Sequence, residues 1–206
     1  MPNSFENEME AREVETLASL AEDIVFRLPG CTDLMVRKTI QSVYRDFCKK
    51  TSVLVTHRKI DIVKGVVHYG VAPLLRGCVV GCIRSARIRH RDIVPNLMQD
   101  GTVVVDRRFL PVDDERIPMF LEVVEIPGIG CEEAPKWFID KYGDTIVSGV
   151  LGQLMSMTGR AWSDPQVAAD ERMKFNSALT EARVLSSSGG QMSAGKLNFI
   201  KKGCLL

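Results

Sequence analysis

No apolar run in the chain approaches the roughly 18 residues that a membrane-crossing helix requires, so no spanning segment is predicted. The opening stretch MPNSFENEMEAREVE is acidic and polar, where a signal peptide would be basic and then apolar. Both readings predict a protein made in the cytoplasm, with no membrane partner. Paired Cys-x-x-Cys motifs are also missing. The six cysteines, at 31, 48, 78, 82, 131 and 204, are scattered, which suits small buried hydrophobes rather than a disulfide framework. Cys78 and Cys82 fall in a β-rich segment, where four residues span about 13 Å, too far for one disulfide or one zinc ion. Cys204 sits near the C-terminus, one place too late for a prenylation box. In an extracellular particle it could form an intersubunit disulfide.

Charge of one sign is not in excess either. There are 27 Lys and Arg against 26 Asp and Glu, a formal net charge of +1. A dedicated nucleic-acid binder carries a basic surplus, because phosphate contacts supply most of its affinity. Aromatic residues make up 6% of the chain, and none interleaves with its one basic run. That run, Ile83-Arg84-Ser85-Ala86-Arg87-Ile88-Arg89-His90-Arg91, would place Arg87, Arg89 and Arg91 on one face of a strand. Two readings stand: a solvated edge whose charges discourage strand pairing, or a contact with DNA or an acidic partner through Arg84, Arg87, Arg89 and Arg91.

Catalytic patterns are equally scarce. His57, His68 and His90 form no HxxxH or HExxH arrangement, and Asp113-Asp114-Glu115 lacks the alternating ligands of a calcium loop. No GxGxxG follows a strand, and neither GxxxxGK[ST] nor GxSxG occurs. The expectation is a protein that is not an enzyme, with no catalytic residue, no cofactor and no metal.

What is present is periodicity. Leu17, Leu20, Ala21, Ile24 and Leu28 recur at helical spacing within Val14–Leu28, and Pro29-Gly30 ends that helix. Thr32 is placed to cap a second helix, whose apolar face reads Leu34, Val36, Ile40, Val43, Tyr44 and Phe47 and which ends near Lys49-Lys50. Residues 52–127 then turn β-branched and partly alternating, predicting five to seven short strands. Helix returns with Pro135 at its first position. Phe138, Tyr142, Ile146, Val150 and Leu154 repeat every four residues, with Ile139, Val147, Leu151 and Met155 beside them, too broad a face for a helix in water. Gly143, Gly149 and Gly152 inside it predict close approach by another backbone. A last helix spans about 165–184, with Val167, Ala168, Phe175, Ala178, Leu179 and Ala182 inward, before the flexible run Ser186–Gly190.

The turn between these helices, Gly159-Arg160-Ala161-Trp162-Ser163-Asp164-Pro165, needs no chemistry. Gly159 can end one helix in the left-handed conformation, Ser163 or Asp164 can cap the next, and Pro165 lies in its first turn. With Ser163 as cap, Gln166 completes a capping box, and Trp162 plugs the closed end of the hairpin.

Two stretches carry a resemblance. PGCTDLMVRKTIQSVYRDFCKKTSVL resembles the N-terminal helix of tailed-bacteriophage head-to-tail adaptor proteins (connector, head-completion or tail-tubular-A-like), where an aromatic-Cys pair and a Thr close the helix. APKWFIDKYGDTIVSGVLGQLMSMTGRAWSDPQVAADERMKFNSALTEAR is similar to that family's C-terminal helical hairpin, through Trp137, Ile146, Gly149, Leu151, Leu154, Trp162 to Pro165, Ala168 and Phe175. The resemblance implies a structural virion protein of the neck or tail, assembled in the host cytoplasm. It implies a homo-oligomeric ring, commonly of twelve copies, between the portal protein and the next tail component, with double-stranded DNA passing through the lumen. The alternative is a small nucleic-acid-binding regulatory protein using Arg87, Arg89 and Arg91.

The resulting expectation is an α+β chain. Residues 1–51 and 132–185 form a helical bundle of N-terminal helices plus a long C-terminal hairpin, and 52–131 an inserted β-rich domain. Residues 186–206 form a flexible tail, ordered only on docking, whose Leu197, Phe199, Ile200, Cys204, Leu205 and Leu206 meet the portal or a neighbouring copy.

Overall fold

The computed structural model describes residues 14–188. It is an α+β structure with four helices, α1 (Ser19–Arg27), α2 (Asp33–Thr51), α3 (Lys136–Leu154) and α4 (Pro165–Ser187). Nine strands accompany them: β1 (Val14–Thr16), β2 (Val55–Ile62), β3 (His68–Gly70), β4 (Cys78–Ile88), β5 (Arg91–Ile93), β6 (Asn96–Leu97), β7 (Thr102–Val104), β8 (Ile117–Pro127) and β9 (Glu133–Pro135). All pairings among them are antiparallel, in sheets ordered β1-β9, β2-β8-β4-β5 and β3-β7-β6. No helix among the described residues is long and apolar enough to cross a membrane.

The helices from either end of the described chain share one core. On α2 the buried residues Val36, Ile40, Val43, Tyr44 and Phe47 follow the 3.6-residue period, while Leu34, expected on that face, is exposed. Asp33 in the first turn and Lys49 and Lys50 in the last complement the helix dipole. The centre of the core is aromatic. Phe138 of α3 is fully buried, with ring centroids 4.9 Å from Tyr44, 5.9 Å from Phe47 and 5.3 Å from Tyr142. Burying each such side chain contributes about 1.5–3 kcal/mol.

The strands enclose a second core. Ile117, Met119, Leu121 and Val123 alternate along one face of β8, and Tyr69, Val71, Val103 and Val105, on and beside β3 and β7, close over them. Seven of the nine strands, β2 to β8, lie within residues 52–127, inside the expected range for that segment.

Three local expectations are corrected. The first helix does not begin at Val14: residues Val14–Thr16 pair with Glu133–Pro135 as a two-stranded ribbon, and α1 starts at Ser19. Leu17 donates to the Glu132 carbonyl at 2.8 Å, so that ribbon binds the start of the described chain to the entry of α3. Pro135 is the N-cap of α3 rather than its first residue, because its extended backbone is already used in β9. Finally, α4 continues through Ser187, so the break expected at Ser186 is helical.

Candidate functional site

The hairpin of α3 and α4 is built on missing side chains. A Cβ on Gly149 would stand 2.7 Å from both the Phe175 ring and Val43 Cγ1, and one on Gly152 2.8 Å from Arg172 Cγ and 3.2 Å from its backbone nitrogen. Only at Gly152 is the approaching group backbone as expected; at Gly149 it is an aromatic ring from α4. At Gly143 the neighbour is the flexible Leu20 Cδ2, at 3.3 Å.

The joint that closes this hairpin uses Asp164. Its carboxylate accepts from the Gln166 and Val167 backbone N–H groups, both at 3.1 Å, and Pro165 follows at the first helical position. Ser163 is not the cap: its hydroxyl donates back to the Met157 carbonyl, so the capping box with Gln166 does not form. Gly159 has φ +73, the left-handed conformation expected, but α3 has already ended at Leu154, and Gly159 turns the loop instead. Trp162 packs against the helical core, its ring 4.0 Å from where a Cβ on Gly30 would stand, with the Arg160 guanidinium 5.9 Å from the ring centroid. Trp162, Asp164 and Pro165 thus make a rigid joint at one end of the helices.

The arginine run is not one face of one strand. Two bulges interrupt β4 against β8, leaving Gly81 and Arg84 as the extra residues. The second re-aims Arg84 inward, where its Nη2 donates to the Ser52 carbonyl at 2.6 Å and to Ser186 Oγ at 2.7 Å. Burial draws the Arg84 pKa down, while the Glu122 charge opposes that shift. Ser186 also donates to the Ser52 carbonyl at 2.9 Å, so Arg84 ties the end of α4 to the end of α2. Strand β4 then stops at Ile88. Arg89 takes the turn with φ 55, and its Nη2 donates to Glu115 at 3.5 Å. Arg87 lies opposite Asp92 and pairs with it at 3.1 Å, whereas Arg91 lies opposite Ile88, on the other face. A tight turn and a bulge have divided the four arginines among four environments.

A different row emerges across the strands. Phe120 of β8, half exposed, is flanked in register by Lys59 of β2 and Arg87 of β4. Asp61, Glu122 and Asp92 share that face, so it carries no cationic surplus. Pairing across strands separated by tens of residues hides such a row from the linear sequence.

The sequence reading also passed over Glu125, which is fully buried. Its carboxylate accepts from Thr56 Oγ1 (2.7 Å), Arg58 Nη2 (3.0 Å), the Leu74 N–H (2.8 Å) and the Leu75 N–H (2.9 Å). Arg58 Nη2 donates as well to the Ala72 carbonyl at 3.1 Å. This cluster satisfies a charge that would otherwise be prohibitive to bury, and it pins the 72–75 loop against β2 and β8. Its signal was a lone carboxylate inside the apolar run Val123-Val124-Glu125-Ile126.

No group of three or more His, Cys, Asp or Glu that could hold a metal occurs among the described residues. A shallow groove between α1 and α2 is lined by Ala18, Ala21, Glu22, Val25 and Arg37. Near it, Phe26 is 90% exposed, and Leu34 is also exposed. On α4 only Ala168, Glu171 and Ala182 are buried, and Val167, Met173 and Val184 face solvent. Leu197, Phe199, Ile200, Cys204, Leu205 and Leu206 lie outside the described residues. Neither a known protein family nor a curated protein matches this chain in sequence.

Proposed function

We propose that the chain is a structural virion protein, a subunit of the head-to-tail adaptor ring that joins the portal of a tailed bacteriophage to its tail and surrounds the DNA passage. The observation that carries this reading is the α3–α4 hairpin. Its closing turn is the Trp-Ser-Asp-Pro segment that the adaptor resemblance rests on, capped by Asp164, while the far side of α4 presents Met173 and Val184. A long helix packed on one side and apolar in part on the other suits a subunit that buries surface against copies of itself.

In this reading the helices are the bundle of the adaptor and the seven strands from β2 to β8 its inserted domain. The Arg84–Ser52–Ser186 cluster fixes the end of α4 against the end of α2. The arginine turn fits the same role, since Arg87 and Arg89 are already engaged by Asp92 and Glu115. A lumen through which DNA slides is served by a surface that does not capture phosphate strongly.

Immunogold labelling of tailed particles with an antibody to this chain tests the reading. Gold at the head–tail junction is the expected result. Intact particles that carry no label would reject it, and tight, steeply salt-dependent nucleic-acid binding by the free chain would favour a regulator instead.

A further inference from the structure

Cys78 and Cys131 are far apart in sequence and meet at the seam between the two cores. Cys78 opens β4 and Cys131 follows the turn after β8, yet both are buried with the helical core. The backbone holds them there. The Gly128 N–H donates to the Gly77 carbonyl at 2.8 Å, and Gly77 has φ +74. A Cβ on Gly77 would stand 3.2 Å from Cys131 Sγ, so that sulfur lies directly against the residue preceding Cys78. The Cys131 thiol is oriented by the Glu133 carbonyl at 3.3 Å and the Arg76 carbonyl at 3.7 Å. The two thiols are close enough for each to shift the titration of the other.

We propose that Cys78 and Cys131 form an oxidisable dithiol, which a peroxide converts into a disulfide that staples the start of β4 to the segment connecting β8 with β9. The four described free thiols are not equivalent. Burial pushes Cys48 and Cys31 up, into the range of inert thiols. The neighbouring Cys78 thiol brings Cys131 down to about 7, against its burial and the charges of Glu133 and Glu132. Cys78 is correspondingly raised, by the Cys131 thiol and by burial. One sulfur is therefore the nucleophile and the other keeps the proton. Cys131 lies two residues beyond the exposed Ile129, with Gly130 at φ +78 between them, so only a short turn separates it from solvent.

The chemistry balances in two steps. The Cys131 thiolate attacks a peroxide oxygen, an S–O bond forms, the O–O bond breaks, and the departing hydroxide takes up a proton to become water. The Cys78 sulfur then attacks the sulfenic sulfur, forming S–S and breaking S–O, and the Cys78 proton leaves with the second water. Two thiols lose two electrons, and one hydrogen peroxide is reduced to two waters.

The test treats the full reduced chain with hydrogen peroxide, blocks remaining thiols by alkylation, and assigns linkages by tandem mass spectrometry. The expected product is a Cys78–Cys131 bond with a higher thermal unfolding midpoint, together with a dimedone-reactive sulfenic acid on Cys131 in Cys78→Ala. Oxidation that falls on Cys31 or Cys48 before Cys78 and Cys131, or that leaves 78 and 131 unlinked in the folded wild-type chain, would overturn the proposal. So would a linked protein that melts no higher than the reduced one.

Discussion

The ring of Phe175 occupies the space that a side chain on Gly149 would need, 2.7 Å from the position of the missing Cβ. Gly149→Ala must therefore displace an aromatic ring and Val43 together, and we expect a loss of about 1–3 kcal/mol, the usual cost of overpacking. At Gly143 the neighbour is the movable end of Leu20, at 3.3 Å. There the helix propensity gained, up to about 1 kcal/mol, should leave Gly143→Ala neutral or stabilising. Urea denaturation of the two variants measures the contrast, and equal losses at both positions would contradict the packing described.

Asp164 and Ser163 separate in the same way. Asp164→Ala removes the acceptor for two N–H groups of α4 and should cost about 1 kcal/mol, whereas Asp164→Asn should retain most of the cap. Ser163→Ala leaves the cap intact. A larger loss for Ser163→Ala than for Asp164→Ala would restore the capping box that the sequence suggested.

The Glu125 cluster is the most sensitive point of the strand layer. Glu125→Ala leaves the Arg58 charge without its carboxylate and the Leu74 and Leu75 N–H groups unpartnered, and breaking a buried pair in this way costs about 3–5 kcal/mol. A double-mutant cycle with Arg58→Met should show strong coupling, because the Arg58–Glu125 ion pair at 3.0 Å is lost in either single variant. Additive effects would mean that the two side chains act independently.

Glu171 sets a pH dependence. Burial raises its pKa, but hydrogen bonds from Lys174 and Ser148, with the charges of Lys174 and Arg27, bring it below the usual carboxylate value. A carboxyl depressed in the folded state stabilises fully above its unfolded pKa of about 4.3, and that stabilisation is lost as pH falls through the folded value. The stability difference between wild type and Glu171→Gln should thus be constant near neutrality and shrink below about pH 4.3 in acid titrations followed by circular dichroism. A difference that grows on acidification would reverse the sign.

What the sequence revealed depended on the range of the interaction. The apolar faces of α2 and α3 are local periodicities, so Phe47, Phe138 and Ile146 were placed in the core directly. Val14–Thr16 reads as helix because its strand partner lies more than a hundred residues away, at Glu133–Pro135. The arginine stripe failed for a sharper reason: a period of two survives only without bulges and turns, and Arg84 and Arg89 are a bulge and a turn. The Trp162–Pro165 joint was legible as a joint, and the structure decided only which side chain caps it.

The central claim is assembly into a ring, and electron microscopy of the purified full chain, paired with sedimentation velocity, tests it most directly. The expected result is closed rings with an open centre, formed by the chain alone or on addition of the portal. Those rings should be lost when Met173 and Val184 are both replaced by Asp. A strict monomer that forms no ring under either condition, or rings unaffected by those replacements, would contradict the account.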